Sequence, residues 1–125
     1  MSLDKKQIFI VDDDESIRRA LKFLLVTYGF EVNTFSSAEE FFSAIPNSTL
    51  GCLIMDVHMP GLSGWETQER LVQRGANRPV IIISADKKEG LQERSLKAGT
   101  IGFLQKPFND QDLVDLINSA FQKGG

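Results

Sequence analysis

The chain has 125 residues, of which 42% are hydrophobic and 25% are charged, and its formal net charge at pH 7 is -3. These values fit one globular domain with its own core, and they exclude a disordered chain and a broad basic surface that would contact nucleic acid directly. Because no apolar run reaches the roughly 18 residues that a membrane-spanning helix needs and the start lacks a secretory signal, we expect a cytoplasmic protein without membrane contact.

The chain begins with an apolar run, Ile8 to Val11, that predicts a first β-strand buried on both faces. A first helix follows, and Gly29 provides a left-handed stop at its end. The apolar face of this helix consists of Ile17, Leu21, Leu24 and Leu25. The second strand, Val32 to Phe35, contains polar residues and is therefore predicted at an edge of the sheet. In the second helix, Ser37 and Glu40 have the spacing of a capping box.

Two further strands are predicted in the centre of the sheet, because Cys52 to Met55 and Val80 to Ile83 are apolar at successive positions. A third helix is predicted between them, from about Trp65 to Arg74. The fourth helix, from about Lys88 to Lys97, is expected to contact the core weakly, because its apolar residues form a thin stripe. Those residues are Leu91, Leu96 and Ala98.

A fifth strand, Ile101 to Leu104, precedes a strongly amphipathic fifth helix that is predicted to be capped by Asp110. The apolar residues of this helix are Leu113, Leu116, Ile117, Ala120 and Phe121. Strict alternation of strand and helix with short connections predicts an α/β fold, in which right-handed crossovers place helices on both faces of a parallel sheet.

We expect a single domain over residues 1–125, with its core at about residues 7–121. The first three residues and the last three, 123–125, carry no pattern that serves a fold. We interpret them as cloning remnants or as the points where a longer chain is cut before an output domain.

The residues that end the strands are the most informative feature, because ligands of a doubly wound sheet bind beyond the carboxyl ends of its strands. In chain order these residues are Asp12, Asp13 and Asp14, then Asp56, Ser84 and Lys106. Carboxylates held close together repel each other, so we expect them to bind a divalent cation, Mg²⁺ or Mn²⁺. The lysine charge and the serine hydroxyl would complement a phosphoryl group. The sequence therefore predicts a phosphoryl-transfer site.

Asp56 is the preferred nucleophile of this site, because it stands alone at the end of a central strand. Asp12 and Asp13 are adjacent to each other and are better placed to hold the cation between them and Asp56. The loop that follows Asp56 is rich in turn formers, and we expect the backbone carbonyl of His58 to be a further metal ligand. Transfer of a phosphoryl group to Asp56 would form an acyl phosphate.

Four motifs together resemble the receiver domains of bacterial two-component response regulators. They are Val11-Asp12-Asp13-Asp14, Asp56-x-x-Met59-Pro60-x-x-x-Gly64, Ser84-Ala85 and Lys106-Pro107-Phe108, and they follow the family's order and spacing. The resemblance implies a flavodoxin-like (CheY-like), doubly wound sheet of five parallel strands in the order 2-1-3-4-5. It also implies that Asp56 is the phosphoacceptor, that Asp12 and Asp13 are the acidic pair with Asp13 touching the metal, and that Ser84 and Lys106 engage the phosphoryl group.

The resemblance implies roles for further residues. Phe103 occupies the switch position, where many members have tyrosine, so we expect the ring to swing inward without a hydroxyl hydrogen bond. A cis peptide bond is expected between Lys106 and Pro107. The side chains of His58 and Asp86 would flank the path of an attacking water and tune the lifetime of the phosphate, in a direction that the sequence does not give.

The segments Ile8 to Arg19 and Ser37 to Phe41 resemble the FixJ branch of the family, whose members usually carry a LuxR-type helix-turn-helix output domain. This resemblance implies a sensor histidine kinase as phosphoryl donor and transcription regulation as output. It implies a signalling switch rather than an enzyme, with self-catalysed phosphorylation and dephosphorylation of its own aspartate. Phosphorylation would change the face of the fourth helix, fifth strand and fifth helix and drive a homodimer through the fourth helix and fifth strand.

Three other functions fit the sequence less well. A phosphatase of the haloacid dehalogenase type would use Asp12 as nucleophile, but the chain has no evident cap insertion and this function leaves Asp56 unexplained. An interaction module that takes no phosphate is disfavoured by the complete set of site residues. A flavodoxin-like cofactor binder is disfavoured because no glycine-rich phosphate loop follows the first strand.

Overall fold

The computed structural model describes residues 6–76 and 78–123, in which strands and helices alternate as predicted. The strands are β1 (Gln7–Val11), β2 (Glu31–Phe35), β3 (Cys52–Asp56), β4 (Val80–Ser84) and β5 (Gly102–Gln105). The helices are α1 (Glu15–Thr27), α2 (Ala38–Ala44), α3 (Gly64–Gln73), α4 (Leu91–Lys97) and α5 (Asp110–Lys123). The terminal residues interpreted above as remnants or cut points, 1–3 and 124–125, lie outside the described residues.

All five strands are parallel and lie in the order β2-β1-β3-β4-β5, which confirms the predicted sheet. Every residue of β3 and β4 is buried, whereas β2 lies at an edge and exposes two of its residues. Asp56 pairs with Ile83 in the register, one position before Ser84. The fold therefore brings the polar residues that end β3 and β4 to one edge of the sheet.

The core consists of two apolar layers, one on each face of the sheet. Ile8 and Ile10 of β1 face one layer, which α1 and α5 cover, and Phe9 and Val11 face the other, which α2 and α3 cover. This alternation follows from the two-residue period of a strand. Each fully buried side chain of this size contributes about 1.5–3 kcal/mol, so the sheet is a rigid base for the residues at its edge.

The structure corrects two predicted helix starts. Helix α4 begins at Leu91 rather than Lys88, because Gly90 takes a left-handed conformation with φ +85° and the Asp86 side chain accepts the Lys88 backbone N–H at 2.9 Å in the preceding turn. Helix α5 is capped by Asn109 rather than Asp110. The Asn109 side-chain oxygen accepts the backbone N–H of Gln111 at 2.8 Å, which satisfies one of the unpaired amides of the first turn.

Side-chain caps fix the starts of the first three helices. Asp14 caps α1 and Ser37 caps α2, but the Glu40 side chain binds Ser36 instead of closing the predicted capping box. A complete capping box occurs at α3, between Ser63 and Glu66. Among the described residues, no helix is both long enough and apolar enough to span a bilayer.

Candidate phosphoryl-transfer site

Asp12 extends from the end of β1 into the centre of the site. Its side chain is 1% exposed, and its Oδ1 accepts the backbone N–H of Asp14 at 2.9 Å. Arg18, one turn into α1, donates to the Asp12 carbonyl oxygen at 2.7 Å. These contacts fix the Asp12 carboxylate and leave its second oxygen, Oδ2, directed toward Lys106.

Asp56 is fixed by the loop that follows β3. Its Oδ1 accepts the backbone N–H of His58 at 2.8 Å, and Gly64 donates to the Val57 carbonyl at the same distance. A Cβ atom on Gly64 would lie 2.7 Å from the Asp56 carbonyl oxygen, which is closer than real Cβ contacts allow. A glycine is therefore required here for the loop to fold back tightly against the acceptor.

Lys106 connects the two carboxylates. Its Nζ lies 2.7 Å from Asp56 Oδ2 and 3.5 Å from Asp12 Oδ2, and the Lys106 side chain is only 18% exposed. The peptide bond between Lys106 and Pro107 is cis, and the Lys106 backbone N–H donates to the Ser84 carbonyl at 2.7 Å. The end of β5 thus holds the ammonium group directly over the ends of β1 and β3.

The charges of these groups influence one another. Burial raises the pKa of the Asp12 carboxyl; the Asp14 backbone hydrogen bond and the Lys106 charge oppose this shift, and the nearby Asp56 charge adds to it. Burial acts to lower the pKa of Lys106, but the hydrogen bond to Asp56 and the two carboxylate charges outweigh it, so the pKa is raised. The site therefore favours a bound positive charge at the point where the two carboxylates meet.

Ser84 and Asp86 form the other wall of the site. Ser84 is fully buried at the end of β4, and its Oγ accepts the backbone N–H of Asp86 at 3.0 Å. Asp86 Oδ2 lies 3.1 Å from Nε2 of His58, whose side chain is 68% exposed. The backbone N–H of Lys88 and the His58 contact lower the pKa of Asp86. The contact between His58 and Asp86 therefore bridges the loops that follow β3 and β4.

Two predicted site residues lie apart from these contacts. Asp13 lies at the bend between β1 and α1, is exposed, and forms no ion pair with a described residue. Phe103 is half-buried on β5 and packs against the apolar layer under α2 and α3. The structure therefore joins Asp12 and Asp56 through Lys106, whereas Asp13 and Phe103 form no polar contact with these three residues.

The donor set fits a magnesium-like cation. No three His, Cys, Asp or Glu side chains among residues 6–76 and 78–123 converge as a complete metal cage. Mg²⁺ does not need such a cage, because it is commonly held by one or two carboxylates, waters and a phosphate. The Oδ2 atoms of Asp12 and Asp56 already converge on the ammonium group of Lys106. The His58 carbonyl accepts no backbone hydrogen bond within the described part of the chain, so its oxygen is free to bind a metal.

The sequence analysis missed two features that shape the site, one at Arg18 and one at the start of α3. Arg18 holds the Asp12 backbone, and the Ser63 to Glu66 capping box positions α3 immediately after the acceptor loop. The second was visible as a Ser-x-x-Glu spacing, which is a helix-start signal. Nothing in the local sequence distinguishes Arg18 from a solvated arginine, because its partner lies on the preceding strand end.

The chain matches known proteins over nearly its whole length. A model of the response regulator receiver domain matches residues 8–118. The transcriptional regulatory protein TdiR of Thauera aromatica is 40% identical over 90% of this chain and 50% of its own length. The transcriptional regulatory protein FixJ of Bradyrhizobium diazoefficiens is 37% identical over 95% of this chain and 58% of its own. The crystal structure of FixJ-N covers 96% of both chains with a TM-score of 0.87 and 33% identity. The chain thus spans about half the length of the curated relatives it matches.

Proposed function

The chain belongs to the family of response regulator receiver domains, and from this premise we propose that it is a phosphorylation switch whose acceptor is Asp56. The family and its transcriptional relatives imply two-component signalling, with a sensor histidine kinase as partner. The observation that carries the assignment of the acceptor is the 2.7 Å contact between Lys106 Nζ and Asp56 Oδ2 at the carboxyl end of the central strand. A cation in this position neutralises charge on a phosphoryl group in transit.

The two oxygens of Asp56 differ in their environment, and we assign Oδ2 as the nucleophile. Oδ1 is held by the His58 backbone N–H, whereas Oδ2 faces Lys106 at the open side. Oδ2 would attack phosphorus as the bond to the donor's imidazole nitrogen or to acetate breaks, and an acyl phosphate forms. Self-catalysed hydrolysis of this bond would return the carboxylate. The chain is thus a signalling switch that modifies itself rather than an enzyme with a separate substrate.

A divalent cation completes this proposal. Asp12, Asp13, Asp56 and the backbone carbonyl of His58 would hold Mg²⁺ or Mn²⁺, which when bound supplies positive charge to the transferring oxygens. The exposed position of Asp13 is compatible with binding through its outward carboxylate, with water filling the remaining positions. Lys106 holds the Asp56 carboxylate through the 2.7 Å contact with Oδ2.

Ser84 links the phosphate to the rest of the switch. Its Oγ accepts the Asp86 N–H, so the hydroxyl proton remains free to donate to a phosphoryl oxygen. The phosphoryl charge of about -1.5 to -2 would draw Ser84 and Lys106 toward Asp56 and pull the loop after β4 inward. That movement would free space for Phe103 and change the face of α4, β5 and α5.

The changed face would be read by a second copy of the chain or by an output domain. We propose a phosphorylation-dependent homodimer through α4 and β5, with transcription regulation as the output of the whole protein. Two transcriptional regulators that resemble this chain support the output assignment. The receiver itself would make no contact with nucleic acid, in keeping with its net charge of -3.

The bridge between His58 and Asp86 would set the lifetime of the phosphate. It joins the two loops on either side of the acceptor with a 3.1 Å contact. A water that attacks the phosphoryl group from solvent must pass these loops. We propose that the closed bridge shields the phosphate and slows hydrolysis.

The test is intact-protein mass spectrometry after incubation with acetyl phosphate, with and without Mg²⁺. We expect a gain of one phosphoryl group, about 80 Da, that requires the metal and is absent in Asp56→Asn. Asp112→Asn is the matched control, because it makes the same chemical change on the exposed side of α5. A label that survives in Asp56→Asn but disappears in Asp12→Asn would move the nucleophile to β1 and support a phosphatase. No label in the wild type would refute the switch.

A further inference from the structure

Helices α3 and α4 are joined by two polar contacts, which we call the α3–α4 clamp. The Arg94 guanidinium lies 4.5 Å from the centre of the Trp65 ring. One turn further along α3, the Gln68 side-chain amide donates to the Ala98 carbonyl at 2.9 Å. Ala98 is the C-cap of α4, at the end of the helix where carbonyls lack partners within the helix. The clamp therefore binds the middle and the end of α4 to α3.

Apart from the clamp, helix α4 is attached mainly through Leu91 and through the hydrogen bonds between Ser95 and Thr100. It has seven residues, of which Leu91 and Ser95 are buried, and Leu96 is exposed. Its start, at Gly90, has no side-chain cap. A helix this short is not stable by itself and depends on tertiary contacts. The clamp therefore makes a large relative contribution to the position of α4.

The two helices are connected to different parts of the phosphoryl site. Helix α3 follows Asp56 closely, because Gly64 donates to the Val57 carbonyl and packs against the Asp56 backbone. Helix α4 follows Ser84 through a loop that is held by the Ser84 and Asp86 hydrogen bonds. A movement of Ser84 toward Asp56 would therefore pull the start of α4 while the clamp holds its end.

We propose that the α3–α4 clamp holds α4 in the arrangement of the unphosphorylated protein, so that Trp65, Gln68 and Arg94 are positioning residues that set how readily the switch turns on. This inference rests on the proposed phosphorylation of Asp56. It adds a second connection between the acceptor and the α4 face, through α3, to the connection through Ser84. In this proposal α4 has two arrangements in equilibrium, one of the unphosphorylated and one of the phosphorylated protein. Phosphorylation shifts this equilibrium only by the difference in its interaction free energy with the two arrangements, and the clamp stabilises the unphosphorylated one.

Gln68 also provides a reason for a second arrangement to be accessible. It is 4% exposed, and its Oε1 atom has no hydrogen-bond partner among the described residues. A buried acceptor without a partner destabilises the arrangement that contains it. A displaced α4 that offers Oε1 a donor would recover part of that free energy. The clamp thus holds α4 in its resting position but leaves Gln68 Oε1 without a hydrogen bond among the described residues.

The test is Arg94→Gln, which removes the cation from an exposed side chain without disturbing the core. Arg70→Gln is the matched control, because Arg70 is exposed on α3 and forms no aromatic contact within the described part of the chain. We expect Arg94→Gln to be phosphorylated by acetyl phosphate and Mg²⁺ about 2- to 5-fold faster than the wild type, as loss of an exposed cation–π contact implies. Arg70→Gln should match the wild type.

Trp65 is the only tryptophan in the chain, so its fluorescence reports the clamp directly. We expect the phosphoryl mimic beryllofluoride, added with Mg²⁺, to change the Trp65 emission of the wild type and to change that of Arg94→Gln much less. Urea unfolding of both variants would separate this effect from a loss of stability.

The proposed role of the clamp would be overturned by an Arg94→Gln protein that is phosphorylated at the wild-type rate or more slowly. It would also be overturned if beryllofluoride did not change the Trp65 emission of the wild type. These outcomes are distinct from failure of the proposed function, which would appear as a wild type without any metal-dependent label on Asp56.

Discussion

Lys106→Met is expected to destabilise the domain, because it removes the ammonium group that contacts both the Asp12 and the Asp56 carboxylate. The two Oδ2 atoms lie 3.5 and 2.7 Å from Nζ, and the side chains are 1% and 12% exposed. Removing one partner of a buried ion pair destabilises a protein by about 3–5 kcal/mol. Because the variant can relieve the repulsion by binding a proton, we expect a loss of about 2–4 kcal/mol at pH 7 without divalent cations.

The pH dependence of this loss follows from the sign of the pKa shifts. Burial already raises the pKa of the Asp12 carboxyl, and without Lys106 the charge that opposes this shift is lost. The native state then binds more protons than the unfolded state, so the variant loses stability as pH rises through the acidic range. The deficit should therefore shrink below about 1 kcal/mol near pH 4. In the wild type, the raised pKa of Lys106 contributes stability below pH 10.5 that is lost as pH rises through the native-state pKa. The methionine variant should lack that alkaline loss.

The assay is urea unfolding followed by circular dichroism in a chelating buffer at pH 4, at pH 7 and at about pH 11, which is above the ordinary lysine pKa of 10.5. Lys22→Met, on the exposed side of α1, is the matched control and should change the free energy of unfolding by no more than about 0.5 kcal/mol. Asp56→Asn in the Lys106→Met background should restore part of the lost stability, because it removes one of the two facing charges. A Lys106→Met protein as stable as Lys22→Met at pH 7, or one that Asp56→Asn does not rescue, would refute the reasoning.

Two further changes test the loops around the acceptor. Gly64→Ala places a Cβ 2.7 Å from the Asp56 carbonyl oxygen, so we expect urea unfolding to show a loss of about 1–3 kcal/mol, and a loss below 0.5 kcal/mol would contradict the close approach. His58→Ala and Asp86→Ala each break the loop bridge, and we expect each to shorten the phosphate lifetime about 2- to 5-fold, the range for an exposed ion pair. The lifetime is measured by loss of the phosphoryl mass after the donor is removed. The double variant should do no more than either single one, and additive effects would argue against the bridge.

The sheet could be predicted from the sequence because its signals are local. The runs Ile8 to Val11, Cys52 to Met55 and Val80 to Ile83 are apolar at every position, and in the structure β2 and β5 are less completely buried. The strand order came from the family resemblance, since periodicity alone does not specify which strands are neighbours. The register then places the strand ends at one edge, which is why Asp12, Asp56 and Lys106 could be grouped before the structure was known.

The features that the sequence did not predict depend on partners distant along the chain. Arg78 is 9% exposed, and its guanidinium lies over the rings of Phe9 and Phe41 and donates to the Pro46 carbonyl at 3.0 Å. Arginine is seldom buried, so composition and pattern predict a solvated side chain at this position. Helix starts were misplaced for a related reason, since Asn109 and Asp110 are both good caps and only the backbone geometry selects one.

Helix α4 shows how a weak sequence signal can have a physical meaning. The thin apolar stripe predicted little contact with the core, and in the structure Leu91 is the only apolar residue of α4 that is buried. Burial of one leucine contributes about 1.5–3 kcal/mol, and polar contacts to Trp65, Gln68 and Thr100 add to this attachment. Apolar packing admits few alternative positions, whereas hydrogen bonds and a cation–π contact can be exchanged for others at modest cost. We proposed above that α4 moves when Asp56 is phosphorylated, and an element that changes position in this way is expected to lack a broad apolar face.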